Sequence, residues 1–157
     1  MTGFWKCVLY LALSGSLSFL LGRFLPKRWF DGAAFPFHDW PFERQGNLYR
    51  RVYIHKWQSH LPDMSRVFRK WMPPKCLSGD VTSAQVEVMV QETCIAEVIH
   101  VILCVTGLAM IWLWPGVGGF LCYLFGALLG NLPFIMVQRF NRPKLLRLME
   151  MLRKRGL

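Results

Sequence analysis

The chain has 157 residues, 54% of them hydrophobic and 15% aromatic, with a formal net charge of +10. That apolar share excludes an ordinary soluble domain and describes a small integral membrane protein. Nucleic acid is not the expected partner of the positive charge, because its placement has another explanation: of 19 Lys and Arg, only Lys6 precedes Arg23, eleven lie from Arg23 to Lys75, seven follow Gln138, and none falls between Cys76 and Gln138.

The first apolar run, residues 4–24, is long enough to span a bilayer. Lys6 sits near enough to its end to snorkel, and Ser14, Gly15 and Ser16 permit close helix packing. No small-x-small cleavage site follows it, and Arg23, Lys27 and Arg28 come directly after, so an uncleaved helix is expected rather than a removed signal peptide.

Residues 25–92 contain no fourth span, since charges interrupt every apolar stretch up to Lys75. They interleave basic residues with Trp29, Phe30, Phe35, Phe37, Trp40, Phe42, Tyr49, Tyr53, Trp57, Phe68 and Trp71. Two readings stay open: a segment lying in the headgroup layer, or a small subdomain whose core is built from these rings. Within it, HKWQSHLPD (His55 to Asp63) gathers two imidazoles, Trp57 and a carboxylate before a turn. The spacing does not fit the His-x4-Asp signature of glycerolipid acyltransferases, His55 to Asp63 being too long and His60 to Asp63 too short.

The second span is expected at residues 93–114 and the third at 117–137, joined by WLWPGVGG. Trp112 and Trp114 suit an interface, and Pro115 with Gly116 suits a tight reversal, which gives an antiparallel hairpin. By the positive-inside rule the 25–92 segment and a basic tail, residues 138–157, face the cytoplasm, while the hairpin tip and the N-terminus lie outside the cell membrane.

At 100° per residue Thr93, Glu97, His100 and Cys104 share one narrow arc of the second span, with Glu92 to its side. Ionisable groups inside a span are costly and generally face protein or trapped water. Counting outward from Gly116 sets residues of equal depth opposite each other: His100 is 16 before it, Asn131 is 15 after it, and Glu92 and Thr93 match Gln138 and Arg139. A neighbouring His and Glu supply a general base and its carboxylate, the pair that acyl transfer to an alcohol requires. The candidate roles are His100 as base, Glu97 orienting it, and Asn131 holding the reacting carbonyl or hydroxyl. Pro133 frees a carbonyl near Leu129 for Asn131 or a substrate group. Arg139 and Arg142, with Gln138 and Asn141 between and beside them, are placed to bind phosphates of an acyl donor or a lipid headgroup.

Three rival readings remain. The polar stripe can serve helix packing alone in a non-catalytic lipid-binding or subunit-like protein. Glu97 and His100 form the Glu-x-x-His unit of di-iron carboxylate bundles, but no second copy exists, and only a mononuclear site completed by His55, His60 and Asp63 would support a metal-dependent membrane hydrolase. The five cysteines, Cys7, Cys76, Cys94, Cys104 and Cys122, lack any CxxC and are expected as free thiols; Cys104 lies too deep in apolar surroundings to be a nucleophile.

Three blocks together resemble the glycosyl-4,4'-diaponeurosporenoate acyltransferase family, small membrane enzymes of staphyloxanthin-type carotenoid synthesis. Glu92, Thr93, Ala96, Glu97 and His100 fall on its E-T-x-x-A-E-x-x-H pattern. Asn131, Pro133, Gln138, Arg139, Asn141, Arg142 and Pro143 fall on N-x-P-x4-Q-R-Y-N-R-P, with Phe140 replacing the usual Tyr. In YIHKWQSHLPD, Trp57 and Asp63 match, whereas His55 and Gln58 stand where Arg or Lys is common. The resemblance implies transfer of a fatty acyl chain from a cytoplasmic donor, such as an acyl-CoA co-substrate, to a sugar hydroxyl of a glycosylated isoprenoid or glycolipid, without a cofactor and with anionic phospholipid around the basic segments. The expected fold is an all-α integral membrane protein forming a single membrane domain, residues 1–157, with three transmembrane helices, one N-terminal and then a hairpin, and an aromatic and basic interfacial segment between the first two.

Overall fold

The computed structural model describes residues 2–61 and 81–156. Its elements are α1 (Gly3–Phe24), α2 (Asn47–Arg51), α3 (Ile54–Trp57), α4 (Ser83–Thr106), α5 (Met110–Leu113), α6 (Val117–Leu121) and α7 (Leu129–Lys154), with a π-helical segment, Cys122–Leu128, between α6 and α7. No strand occurs among the described residues. Three helical stretches, Gly3–Phe24, Ser83–Leu113 and Val117–Lys154, are long and apolar enough to cross a membrane. The protein is therefore an all-α integral membrane protein with three such helices.

Two helices run further than hydropathy alone indicates. α4 begins ten residues before Thr93, where a reciprocal capping box starts it: Gln85 N–H donates to Thr82 Oγ1 at 3.3 Å, and Thr82 N–H donates to Gln85 Oε1 at 3.1 Å. The tail expected from residue 138 is not a separate segment but a continuation of α7 to Lys154. Leu145, Leu146, Leu148, Met149 and Leu152 recur there at helical spacing, and Leu152 is buried, so an apolar stripe keeps the helix going after the charges begin.

The chain divides into two compact units. The first comprises Met1–Pro26 and Ile95–Met136. Cys7, Met110 and Ala127 are its fully buried centre, surrounded by Tyr10, Leu11, Leu113, Trp114, Cys122 and Tyr123. The Tyr10 hydroxyl donates to the Thr106 carbonyl at 2.8 Å, where the helix gives way to a 3-10 turn, Gly107–Ala109. Gly116 turns the hairpin with φ 98°, which L side chains rarely adopt. Gly107 lets the two arms meet: a Cβ there would lie 2.2 Å from the Ala127 Cβ. Leu9, Leu13, Leu17 and Leu20 on α1, Val101 and Val105 on α4, and Phe120, Phe125 and Leu129 beyond the tip all face outward. Apolar surface on that scale suits acyl chains, not water.

The second unit comprises Lys27–Cys94 and Val137–Leu157. Tyr49, Ile54, Val86, Val90, Cys94, Phe140 and Leu152 are buried in it, together with the charged Glu43 and Arg142. Among the described rings of the aromatic segment Tyr49 is buried, while Trp29, Phe35, Phe42 and Tyr53 are exposed.

Candidate functional site

In the first unit, α4 brings His100 to Asn131 of α7, with His100 Nδ1 2.7 Å from Asn131 Oδ1. The second hydrogen bond of Asn131 decides the polarity of the first. Its Nδ2 donates to the Ala127 carbonyl at 2.6 Å, and a carbonyl can only accept, so Oδ1 faces the ring as an acceptor. Nδ1 therefore carries the proton, and in the neutral imidazole the basic lone pair is on Nε2. Asn131 is 8% exposed and holds this orientation inside the protein.

Ala127 lies within the π-helical segment, where i→i+5 bonding replaces the α pattern. Its carbonyl also accepts from Cys104 Sγ at 3.7 Å. Asn131 thus uses the Ala127 carbonyl, not the one near Leu129 that Pro133 was expected to free. The His100 ring stacks on Phe134, centroids 4.7 Å apart and planes within 11°. Glu97, three residues before His100 on α4, is 6% exposed. The group facing Nδ1 is the Asn131 amide, and Glu97 provides a buried carboxylate on the same helix.

In the second unit Arg139 and Arg142 are held by protein acceptors. Arg142, 2% exposed, donates from Nε to Thr93 Oγ1 at 2.9 Å, from Nη1 to the Phe37 carbonyl at 2.9 Å and from Nη2 to the Thr93 carbonyl at 3.1 Å. Arg139 pairs with Glu43 at 2.8 Å and donates to the Pro36 carbonyl at 3.0 Å. Glu43, itself 2% exposed, also accepts from the Tyr49 hydroxyl and from Trp40 N–H, which satisfies the buried charge from three sides.

The remaining sequence candidates are dispersed. Glu92 forms a surface pair with Lys27 at 2.8 Å. Asn141 Nδ2 donates to Gln58 Oε1 at 3.2 Å, Trp57 Nε1 donates to the Val52 carbonyl at 2.9 Å, and Gln138 is half-buried on α7. Asp63 lies outside the described residues. Among the described residues no three His, Cys, Asp or Glu side chains gather where they could hold a metal ion. Sequence reasoning missed Phe134 and Glu43. The signal for Phe134 was its helical spacing from Asn131, and for Glu43 its being one of only three acids among residues 25–61.

Residues 26–151 match the glycosyl-4,4'-diaponeurosporenoate acyltransferase family. A protein of that name from Staphylococcus aureus strain bovine RF122 / ET3-1 is 30% identical over 137 residues, covering 87% of this chain and 81% of its own length. Its counterpart in strain MRSA252 is likewise 30% identical over the same shares, and that of strain USA300 is 28% identical. No solved structure matches the chain significantly.

Proposed function

We propose, from the premise that this chain belongs to the glycosyl-4,4'-diaponeurosporenoate acyltransferase family, that it is a membrane O-acyltransferase moving a fatty acyl chain onto a sugar hydroxyl of a glycosylated carotenoid acid. The observation that carries the mechanism is the 2.7 Å contact between His100 Nδ1 and Asn131 Oδ1, with Asn131 fixed from behind by the Ala127 carbonyl. Nε2 of His100 takes the proton of the acceptor hydroxyl as its oxygen attacks the carbonyl carbon of an activated acyl donor such as an acyl-CoA thioester. The new ester C–O bond forms, the donor C–S bond breaks, and the imidazolium returns its proton to the departing thiolate.

Charge on the ring in that step is met by three groups. Nδ1–H stays on Asn131 Oδ1, the Phe134 face lies against the ring, and the buried Glu97 carboxylate offsets the cation. Direct attack by the hydroxyl needs no acyl-enzyme. The charge pattern supports an orientation with the basic residues on the cytoplasmic side, where an acyl-CoA is available.

The test is conversion in a host that makes glycosyl-4,4'-diaponeurosporenoate and lacks an enzyme acylating it. Expression of this chain is expected to yield a fatty acyl ester of the glycoside, identified by mass spectrometry. A host whose membranes contain the protein while the glycoside persists unacylated contradicts the proposal.

A further inference from the structure

The second unit contains a cavity of ≈ 260 Å³ lined by Gln45, Asn47, Arg50, Phe140, Lys144 and Arg147. Three cations and two amides surround it, and none of its lining residues is a carboxylate. Several cations elsewhere in this unit have acceptors: Arg139 has Glu43, Arg142 has Thr93 and Phe37, Lys27 has Glu92, Arg153 has Glu87 and Lys154 has Glu150. Arg50 forms no ion pair among the described residues, and its charge adds to those of Lys144 and Arg147 around the same space.

The cavity is also held in shape. Lys144 Nζ lies 3.1 Å from the centroid of the buried Phe140 ring, and Arg147 Nη2 donates to Gln45 Oε1. Arg44, Gln45 and Gly46 occupy successive positive-φ conformations, 49°, 58° and 85°, and Gln45 N–H is fixed by Asp39 Oδ2 at 2.7 Å. Such backbone is unfavourable for non-glycine residues, so the fold holds this turn against its own preference, and it is this turn that brings Gln45 and Asn47 to the cavity wall.

Like charges gathered without a counter-ion repel, and an anion placed among them relieves that repulsion while filling the donors of two guanidiniums and an ammonium. The volume falls below the roughly 300–1,000 Å³ of pockets that enclose whole small molecules, which suits a phosphate or diphosphate group and not an acyl chain. We propose that Arg50, Lys144 and Arg147, with Gln45 and Asn47, form a binding site for the phosphate groups of a ligand, either the diphosphate of a soluble donor or the headgroup phosphate of a lipid. The site goes beyond the acyl-transfer reading and does not depend on it, because its test reads binding alone.

The full chain, purified in neutral detergent, is titrated with pyrophosphate by calorimetry and, separately, with phosphatidylglycerol against diacylglycerol by native mass spectrometry. A cavity variant, Arg50→Gln with Lys144→Gln and Arg147→Gln, is compared with a charge-matched control, Arg153→Gln with Lys154→Gln and Arg155→Gln. At least one phosphate probe is expected to bind the unaltered protein and the control alike and to weaken about tenfold or more in the cavity variant, as loss of charge-assisted contacts requires. Binding of pyrophosphate assigns the site to a soluble donor, and binding of phosphatidylglycerol but not diacylglycerol assigns it to a lipid headgroup. Absence of binding by either probe, or equal weakening in the control, overturns the proposal.

Discussion

Asn131 decides which nitrogen of His100 is basic, and that makes it testable apart from the base itself. Asn131→Leu keeps the volume but removes the acceptor that holds the proton on Nδ1. A wrong tautomer is costly to general-base catalysis, so kcat is expected to fall about 10²-fold or more with KM little changed; a raised KM at unaltered kcat would instead assign Asn131 to substrate binding. Glu43 belongs to the same scale but concerns stability. Glu43→Ala strips the carboxylate from Arg139, Tyr49 and Trp40 at once, and breaking a buried pair of this kind costs about 3–5 kcal/mol. Thermal unfolding in detergent is expected to shift down by many degrees, and a variant melting with the unaltered protein would contradict that account. The His100–Asn131 pairing was legible, because equal distance from Gly116 sets the depth of residues on two arms of a hairpin. The engagement of Arg139 and Arg142 with Glu43, Thr93 and Phe37 was not, since their acceptors include backbone carbonyls that any residue type supplies.

Helix identity and helix ends had different legibility. The apolar interiors of the three spans follow from hydropathy, which reports lipid exposure directly. The polar extensions of α4 back to Ser83 and of α7 on to Lys154 carry no hydropathy signal, being set by the Thr82–Gln85 capping box and by an apolar stripe that periodicity, not composition, reveals. The π-helical segment Cys122–Leu128 had no sequence signature at all, yet its Ala127 carbonyl orients Asn131. Close contact at Gly107 is the packing that fixes this element in place. Gly107→Leu puts a side chain where a Cβ alone would come within 2.2 Å of the Ala127 Cβ. The expected result is destabilisation of about 1–3 kcal/mol and loss of acyl transfer despite untouched His100, Glu97 and Asn131. A fully active, equally stable Gly107→Leu protein would show that the arms pack otherwise.

For the molecule as a whole, the distribution of basic residues predicts an orientation that labelling can test. In a cysteine-free background, Val117→Cys at the exposed hairpin tip is expected to react with a membrane-impermeant maleimide on intact cells, and Glu150→Cys only after permeabilisation. The reverse pattern would place the basic residues outside. The account as a whole rests on His100 as the proton acceptor, and the most direct measurement is the rate of ester formation by purified His100→Ala beside the unaltered protein, in liposomes containing the glycosylated carotenoid and an acyl-CoA. The account predicts a rate lowered about 10²–10⁴-fold with the helical content unchanged. Ester formation by His100→Ala at the unaltered rate would contradict it.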